Sequence, residues 1–206
     1  MAVSDRMTTL TVADMDGDGA SGQQRVCGIE ELVEHQSAGI SHVLSLVDPD
    51  LPELVQFTQF APHHRTVLRF HDIIELLPGK VAPEPHHIDE ILAFGASSGG
   101  GTRAARTLVH CHMGVSRSTA AMLIVMAQAE ASVAEDELYA RLRRIRPQAW
   151  PNSRMIRFAD EKLGRNGKLS AALSRHYAHQ LIQQPRFGVW MPELGRKAEV
   201  DLALAG

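Results

Sequence analysis

Apolar positions along the chain form two patterns, short continuous runs and longer segments with helical spacing. Apolar runs at 43–47 and 67–70, and the pair Leu108–Val109, predict buried strands, and a further strand is predicted at 7–12. Apolar residues three and four positions apart predict helices at about 28–35, 85–94, 116–131, 134–145, 152–164 and 169–183. This alternation predicts an α/β fold with a small central, mostly parallel sheet flanked by helices on both faces.

Turn and cap residues separate these segments. Gly39 is expected to end the first helix, and Ser132 with Glu135 forms a capping box that predicts the start of the helix at 134–145. A polar loop is predicted at 97–102. The segment 185–206 has weak periodicity, which leaves two alternatives: docking through Phe187 and Trp190, or partial disorder.

Length and composition favour a single domain. The chain has 206 residues, 44% of them hydrophobic, with a formal charge of −3. A chain of this length can bury a hydrophobic core without stabilising cross-links. We expect a core at about 24–183, a variable N-terminal segment at 1–23 and a C-terminal tail at 184–206. Without a basic tract or a long apolar run, no binding to nucleic acid or membrane is expected.

The two cysteines, Cys27 and Cys111, are too few for a disulfide framework, so a reducing cytoplasm is the expected location. Cys27 is interpreted as a residue at the end of a strand. A reversible disulfide between the two cysteines is a minor alternative, because reactive thiolates oxidise readily.

The segment 108–119, with the sequence LVHCHMGVSRST, has the pattern of a phosphate-binding loop. Leu108 and Val109 suit the end of a buried strand, and an apolar helix is predicted to start at about Ser116. A loop in this position directs backbone N–H groups and the positive end of the helix dipole toward one point.

The side chains of this loop add chemistry. The helix end and Arg117 favour the thiolate form of Cys111, a nucleophile. Arg117 offers a planar fork that matches two phosphate oxygens, and Ser118 can donate a hydrogen bond to the sulfur. His110 could orient the loop through backbone hydrogen bonds. The expected phosphate-binding residues are His112, Met113, Gly114, Val115, Ser116 and Arg117.

His110, Cys111, Arg117 and Ser118 resemble the His-Cys-x5-Arg-Ser signature of the cysteine-dependent protein tyrosine phosphatases. The stretch 114–118 is most similar to the dual-specificity branch, and the resemblance covers about 43–164. It implies metal-independent hydrolysis of phosphotyrosine through a phosphocysteine, without a cofactor, and leaves open phosphoserine and phosphothreonine. The implied partner is a phosphorylated protein or a small phosphomonoester; the oligomeric state stays open.

The resemblance also implies a general acid on an upstream loop, and Asp72, which follows the strand at 67–70, fits best. His71 is the nearest rival because histidine is a competent acid near neutral pH. Glu75 and Asp89 are weaker candidates, since Asp89 lies on a predicted helix whose acidic residues face water.

A second patch of resemblance lies at 146–152, where an Arg-Pro segment leads to Pro151–Asn152. The resemblance implies that Asn152 holds the phosphate loop by hydrogen bonds rather than contacting substrate. An ordinary helix N-cap is an equal alternative, and both roles are compatible.

The sequence also bears on the substrate class and on alternative functions. The chain has no segment resembling the Lys-Asn-Arg-Tyr loop of the large tyrosine-specific enzymes, which favours a shallow pocket, and no lysine inside the 111–117 loop, which disfavours phosphoinositides. A catalytically weak phosphate-binding module and a rhodanese-like sulfurtransferase remain alternatives. The spacing from Cys111 to Arg117, followed by Ser118, fits a phosphatase better than a sulfurtransferase.

No metal site is predicted. The acidic stretch 14–19 resembles the first half of an EF-hand loop, but Arg25 stands where a bidentate glutamate is required. The adjacent histidine pairs at 63–64 and 86–87 do not share a helix face, so neither resembles a ready metal site.

Overall fold

A four-stranded parallel sheet forms the centre of the fold. The computed structural model describes residues 24–98 and 105–205. Its strands are β1 (Gln24–Cys27), β2 (His42–Val47), β3 (His64–Arg69) and β4 (Thr107–His110), arranged in the order β1-β4-β2-β3 with every pair parallel. The predicted small parallel sheet is therefore confirmed. Parallel strands bring their carboxyl ends to one edge, where the loops after β2, β3 and β4 meet.

Helices surround this sheet. The α-helices in the described residues are α1 (Pro85–Ser97), α2 (Arg117–Ala129), α3 (Glu135–Ile145), α4 (Ser153–Lys162), α5 (Lys168–Gln183), α6 (Phe187–Glu193) and α7 (Lys197–Ala205). Two short 3-10 helices span Glu30–His35 and Val55–Gln59. The helix predicted at 28–35 is thus a 3-10 helix of six residues, a form used in such short pieces.

The two faces of the sheet are covered unequally. Because side chains alternate along a strand, Leu44 and Val109 enter the large core built with the α-helices, whereas Val43 and Leu108 enter a smaller core on the opposite face. Leu32 and Phe57, from the two 3-10 helices, cover that smaller core. The predicted helical cover on both faces is confirmed.

The predicted capping box is wrong. α3 is preceded by Ala134 in an extended conformation, with no side-chain cap, so Ser132 lies two residues too early to cap it. Three consecutive acidic residues, Glu135, Asp136 and Glu137, form the first turn instead and complement the helix dipole.

The segment 185–206, for which the sequence left two alternatives, is described to residue 205; this part is largely helical and docks on the domain. Phe187 at the start of α6 is fully buried, and its ring lies 5.1 Å from the ring of Trp150 and 5.8 Å from that of Trp190. The docking alternative through Phe187 and Trp190 is therefore the correct one.

Three predictions lie outside the described residues: the strand at 7–12, the acidic stretch 14–19 and most of the polar loop at 97–102, of which Ser97 ends α1. Among the helices that are described, none has the length and apolar character needed to cross a membrane.

Candidate active site

The loop 111–116 joins the end of β4 to the start of α2. β4 lies between β1 and β2 in the sheet, and α2 is almost entirely buried from Arg117 to Ala127. The apolar strand and helix predicted around the loop are thus the most enclosed elements of the molecule. This enclosure fixes the N-terminus of α2 at the carboxyl edge of the sheet, where its dipole favours an anion.

The loop backbone packs directly on the end of β1. Gly114 has a φ of +69°, and a Cβ placed there would lie 2.5 Å from the carbonyl carbon of Cys27. A Cβ at Gly28 would lie 3.0 Å from the oxygen of His112, which accepts a 3.0 Å hydrogen bond from the Ile29 N–H. Glycine at 114 is therefore required both by its dihedral angle and by the space available.

Arg146 braces the same loop from the side. Its Nε donates to the oxygen of Gly114 at 3.0 Å, and its Nη2 donates to the oxygen of Met113 at 3.1 Å. Glu31 pairs with it at 2.8 Å. Burial alone would raise the pKa of Glu31, but Arg146 and the N–H of Gly28 lower it below its usual value. A sequence interpretation that ran from Arg146 to Asn152 had assigned no role to this arginine.

Cys111 and Ser118 face each other. The sulfur of Cys111 lies 3.1 Å from the Oγ of Ser118, and both side chains are buried. A hydroxyl in that position can donate to a thiolate. The two residues therefore have the geometry expected of a nucleophile and a group that stabilises it as it leaves.

Residues that follow two neighbouring strands, β2 and β3, bind the guanidinium group of Arg117. Its Nη1 donates to Asp48 Oδ1 at 2.6 Å, after β2, and to the carbonyl oxygen of Phe70, after β3. The side chain is only 3% exposed, and its buried Nε has no partner in the described part of the chain. An unpaired buried donor on a fixed guanidinium beside the loop suits an incoming phosphate oxygen. No role was predicted for Asp48 from the sequence.

Asp72 lines the same cavity as Cys111, and the hydrogen bonds that described residues make to its carboxylate all fall on one oxygen. Oδ1 accepts from Ser116 Oγ at 2.7 Å, Asn152 Nδ2 at 2.9 Å and Arg196 Nη1 at 3.2 Å. The side chain is 31% exposed. Burial alone would raise the pKa of Asp72, but Arg196, then Arg117, and the hydrogen bonds from Ser116 and Asn152 lower it below its usual value.

The other candidates for the general acid differ in whether they line the cavity. His71 also lines the pocket, and its Nδ1 accepts from the N–H of Val81 at 3.0 Å, so the proton of the neutral ring is on Nε2. Asp89 is exposed and pairs with Lys162 at 2.6 Å, and neither it nor the exposed Glu75 lines the pocket. Asp72 and His71 remain the two acids placed at the site.

His110 contacts the neighbouring strand β2. Its Nε2 lies 2.7 Å from Ser45 Oγ, which also accepts from Arg65 Nε at 2.9 Å. Burial lowers the pKa of His110 to about 4, whereas a backbone interaction with Cys111 opposes this shift, so the ring is neutral at neutral pH. The ring therefore links the end of β4 to β2 beside the first residue of the loop.

Asn152 has two roles at once. Its Oδ1 accepts from the N–H of Met155 at 3.2 Å, which caps α4, and its Nδ2 donates to Asp72 and to the oxygen of Ile73. The expected hydrogen bonds from Asn152 to the phosphate loop are absent among the described contacts. Asn152 instead holds the loop that carries Asp72.

Two residues at the site have no counterpart in the sequence interpretation. Arg196, between α6 and α7, is 4% exposed and contacts Ser116 Oγ as well as Asp72. Glu199, fully buried in α7, lies 2.8 Å from Arg196 and accepts from Trp150 Nε1 at 2.7 Å and from the N–H of Ser153 at 2.8 Å. Buried charges require such partners, but nothing in a weakly periodic segment indicates them.

These residues enclose one cavity of about 320 Å³. The phosphate loop, the strand-end loops and the C-terminal segment each contribute to its walls, which consist of Asp48, His71, Asp72, Ile73, Lys80, Cys111, His112, Met113, Val115, Ser116, Arg117, Trp190, Met191, Leu194 and Arg196. Eight of these fifteen residues have charged or polar side chains. His112 lines the cavity and is exposed, which places it at the cavity mouth.

Cys27, the second cysteine, is a free thiol at the end of β1, as is Cys111 at the end of β4. Burial and, next, Glu31 raise the pKa of Cys27 to about 12. It is therefore a protonated, buried thiol at neutral pH, unlike the reactive thiolates that oxidise readily.

Comparisons with known proteins rest on structure. The chain matches no protein-family model, and no curated protein is significantly similar to it. Human DUSP28 is 13% identical to this chain, with a TM-score of 0.51. The match covers 70% of this chain and 96% of the DUSP28 chain. DUSP15 is 19% identical over 70% of this chain and 90% of its own, also with a TM-score of 0.51.

The phosphatase domain of Yvh1 from Chaetomium thermophilum is 21% identical over 71% of this chain and 94% of its own, with a TM-score of 0.48. Identities this low speak only to the fold. From the two neighbours with TM-scores of 0.51, and from its parallel sheet, the chain has the fold of the dual-specificity branch of the protein tyrosine phosphatases.

Proposed function

We propose that this protein is a cysteine-dependent phosphatase that hydrolyses phosphate monoesters through a phosphocysteine intermediate, acting as a single catalytic domain. The observation that carries the proposal is the convergence of Cys111, Arg117 and Asp72 on one cavity, although Asp72 precedes Cys111 by 39 residues in the chain. A nucleophile, an oxyanion-binding cation and a proton donor are the three groups that this reaction requires.

In the first step the Cys111 thiolate attacks phosphorus and the bond from phosphorus to the leaving oxygen breaks. Asp72 in its acid form gives its proton to that oxygen. Arg117 and the N–H groups at the start of α2 stabilise the charge on the equatorial oxygens, which is usually the largest catalytic contribution. Asp72 Oδ2, to which no described residue donates, is the oxygen available for the proton transfer.

In the second step water attacks the phosphocysteine and the phosphorus–sulfur bond breaks. The Asp72 carboxylate takes a proton from the water, so it returns to the acid form as inorganic phosphate is released. The Ser118 hydroxyl, 3.1 Å from the sulfur, donates to the departing thiolate. This donation makes sulfur a better leaving group, as the sequence interpretation proposed.

We propose a phosphotyrosine residue of a protein, or another aryl phosphate, as the preferred substrate. Trp190, Leu194 and Met113 stand at the cavity, and the last two are about half exposed there. Apolar surface at the mouth of a site that binds an anion suits a leaving group with an aromatic ring. Phosphoserine and phosphothreonine offer no such ring and are expected to react more slowly.

A non-catalytic phosphate-binding module is the alternative, and the position of Asp72 favours the enzyme. Such a module needs Arg117 and the loop but no acid, whereas here an aspartate lines the same cavity as the cysteine. Nothing in the cavity favours a sulfurtransferase over a phosphatase.

The test is hydrolysis of para-nitrophenyl phosphate and of matched phosphotyrosine, phosphoserine and phosphothreonine peptides. Cys111→Ser is expected to lower kcat by at least about 10³-fold, because the hydroxyl is a far weaker nucleophile than the thiolate. Cys27→Ala, which removes the other buried cysteine, is the matched control and is expected to keep activity. Full activity of Cys111→Ser would refute the mechanism, and absence of hydrolysis by the wild type would refute the function.

A further inference from the structure

The turn between α6 and α7 places a buried arginine against the proposed acid. Gly195 has a φ of +72°, which allows the sharp turn after α6, and the N–H of Arg196 donates to the oxygen of Met191 at 2.9 Å. The side chain of Arg196 then enters the cavity wall, where it is 4% exposed. Its Nη1 contacts both Asp72 Oδ1 and Ser116 Oγ, so one atom joins the acid and the phosphate loop.

Glu199 fixes this arginine in place. The fully buried carboxylate pairs with Arg196 Nη2 at 2.8 Å. The same carboxylate binds the Trp150 indole and the first N–H group of α4, and α4 is capped by Asn152, which itself donates to Asp72. The contacts therefore form a closed ring through the C-terminal segment, the α4 N-terminus and the acid loop.

We propose that Arg196 is a positioning residue that holds Asp72 against the phosphate loop and sets the pH range over which Asp72 donates its proton. This inference rests on the proposed phosphatase function. Arg196 acts through Asp72 and Ser116, and no contact with the reacting atoms is assigned to it.

Several groups face Asp72, and Arg196 is the charged side chain that touches it among the described residues. Arg117 contributes at longer range from α2, and its charge is shared with Asp48. The remaining groups that face the same cavity are His71 and Lys80 from the acid's own loop, Cys111 and His112 from the phosphate loop, and the neutral donors Ser116 and Asn152. Loss of Arg196 would therefore remove the closest positive charge while the neutral donors remain.

The expected consequence has a definite sign. The first step requires the acid form of Asp72, so kcat/KM falls as the pH rises through the pKa of Asp72 in the free enzyme. A positive charge in contact lowers the pKa of a carboxyl by about 1–3 units. Loss of Arg196 is thus expected to move this fall to higher pH, and the ratio of variant to wild-type kcat/KM should increase with pH.

The experiment measures kcat/KM against pH for the wild type, Arg196→Lys and the double variant Arg196→Gln/Glu199→Gln. The double substitution avoids leaving Glu199 buried without a partner. In the double variant we expect the fall at higher pH to move up by about one pH unit, so the ratio to the wild type increases up to about tenfold. Arg196→Lys keeps the charge and is expected to restore most of the wild-type profile.

Lys197→Gln is the matched control, because Lys197 is the next residue, lies on the surface at 71% exposure and, among the described residues, pairs with Asp201 and not with the cavity. It is expected to leave the pH profile unchanged. An active double variant with the wild-type profile would overturn the role of Arg196 and leave the proposed function standing.

A second measurement does not depend on the variants folding. The carboxyl carbon of Asp72 can be titrated by NMR in the wild-type chain, where we expect a midpoint below the ordinary value of 3.8. A midpoint at or above that value would overturn the inference. Since the titration needs no turnover, it separates this result from a failure of the phosphatase function, which would appear as absence of hydrolysis.

Discussion

At the scale of single residues, the site depends on how donors are divided between the two oxygens of Asp72. Three donors hold Oδ1, whereas no described residue donates to Oδ2. One oxygen therefore orients the carboxyl group while the other can reach a substrate. His71, the next residue back, carries the only other titratable side chain that the sequence had ranked close to Asp72 and that also lines the cavity.

Asp72→Asn is expected to lower kcat for an alkyl phosphate or phosphotyrosine peptide by about 10²–10⁴-fold, because the amide cannot donate a proton as an acid. The fall of kcat/KM at higher pH should also disappear. The effect on para-nitrophenyl phosphate should be smaller, since para-nitrophenolate leaves without needing a proton. Steady-state rates from pH 4 to 8 check both expectations.

His71→Gln is the comparison variant at the adjacent position. If that variant loses the pH-dependent fall while Asp72→Asn keeps it, histidine is the acid and the assignment of Asp72 is wrong.

The local motif predicted Cys111, Arg117 and Ser118 because their spacing alone places them around one loop. Asp72 followed from the acid that the family resemblance implies, together with its position after a strand. Asp48 and Arg196 could not be predicted in this way, since 69 and 124 residues separate them from Arg117 and Asp72, their respective partners. Such pairs depend on which loops meet at the sheet edge, and a periodic pattern carries no information about that.

At the scale of elements, the phosphate loop is shaped by its contact with the end of β1 as much as by its own sequence. Gly114 and Gly79 both have φ near +70°, but a Cβ at Gly79 would meet nothing within 4 Å, whereas one at Gly114 would overlap the backbone of Cys27. Alanine substitutions at the two glycines therefore separate the energetic cost of a positive φ from the cost of steric overlap with the backbone.

Gly79→Ala is expected to lower the free energy of unfolding by about 1–2 kcal/mol, the cost of a left-handed conformation for alanine. Gly114→Ala should cost more than about 3 kcal/mol or displace the loop, and kcat should fall with it. Urea unfolding and steady-state kinetics of both variants check this. Equal stabilities of the two variants would mean that the overlap at Gly114 is relieved at no cost.

The strands and most of the helices were predictable because their apolar spacing matches their burial. The 3-10 helix at Glu30–His35 and the uncapped start of α3 were not. Helical spacing does not distinguish a 3-10 helix of two turns from a short α-helix, and a capping box in sequence forms only if the chain turns at that residue.

At the scale of the whole molecule, the two cores bury histidines in their neutral form. His176 in α5 is the clearest case, since its Nδ1 accepts from Arg143 at 3.0 Å and its Nε2 donates to the oxygen of Ala149 at 3.0 Å. Burial lowers the pKa of His176 to about 3, and lowers the pKa values of His87 and His110 to about 4. Protonation of these rings therefore favours the unfolded chain.

Stability is expected to be full above pH 6.5, the ordinary histidine value, and to fall as the pH drops from 6.5 toward 4. Each of the three rings contributes a slope of up to about 1.4 kcal/mol per pH unit in that range. Urea unfolding at several pH values measures the slope. Carboxylates with lowered pKa values, such as Glu31, contribute only below about pH 4.5.

His176→Gln is expected to remove the contribution of one titrating ring from this slope, because glutamine cannot be protonated in this range. His179, exposed on the same helix, provides the control, and His179→Gln should change the slope less. A slope that is unchanged in His176→Gln would contradict the neutral, buried state assigned to His176.

The C-terminal segment marks the limit of what a family resemblance could supply. The resemblance ended at about residue 164, yet α6 and the turn that follows it contribute four residues to the cavity wall, Trp190, Met191, Leu194 and Arg196. Their side chains are recognisable as part of a site only after the chain has folded back over the phosphate loop.

The position of Arg196 in the chain has a consequence for synthesis. The ribosome adds about 5–20 residues per second, and Arg196 follows Arg117 by about 80 residues. For roughly 4–16 s, a nascent chain therefore contains the cysteine loop but lacks the arginine that holds Asp72. Such an intermediate would have the proposed nucleophile before the proposed acid is held in place, so the candidate site becomes complete only late in translation.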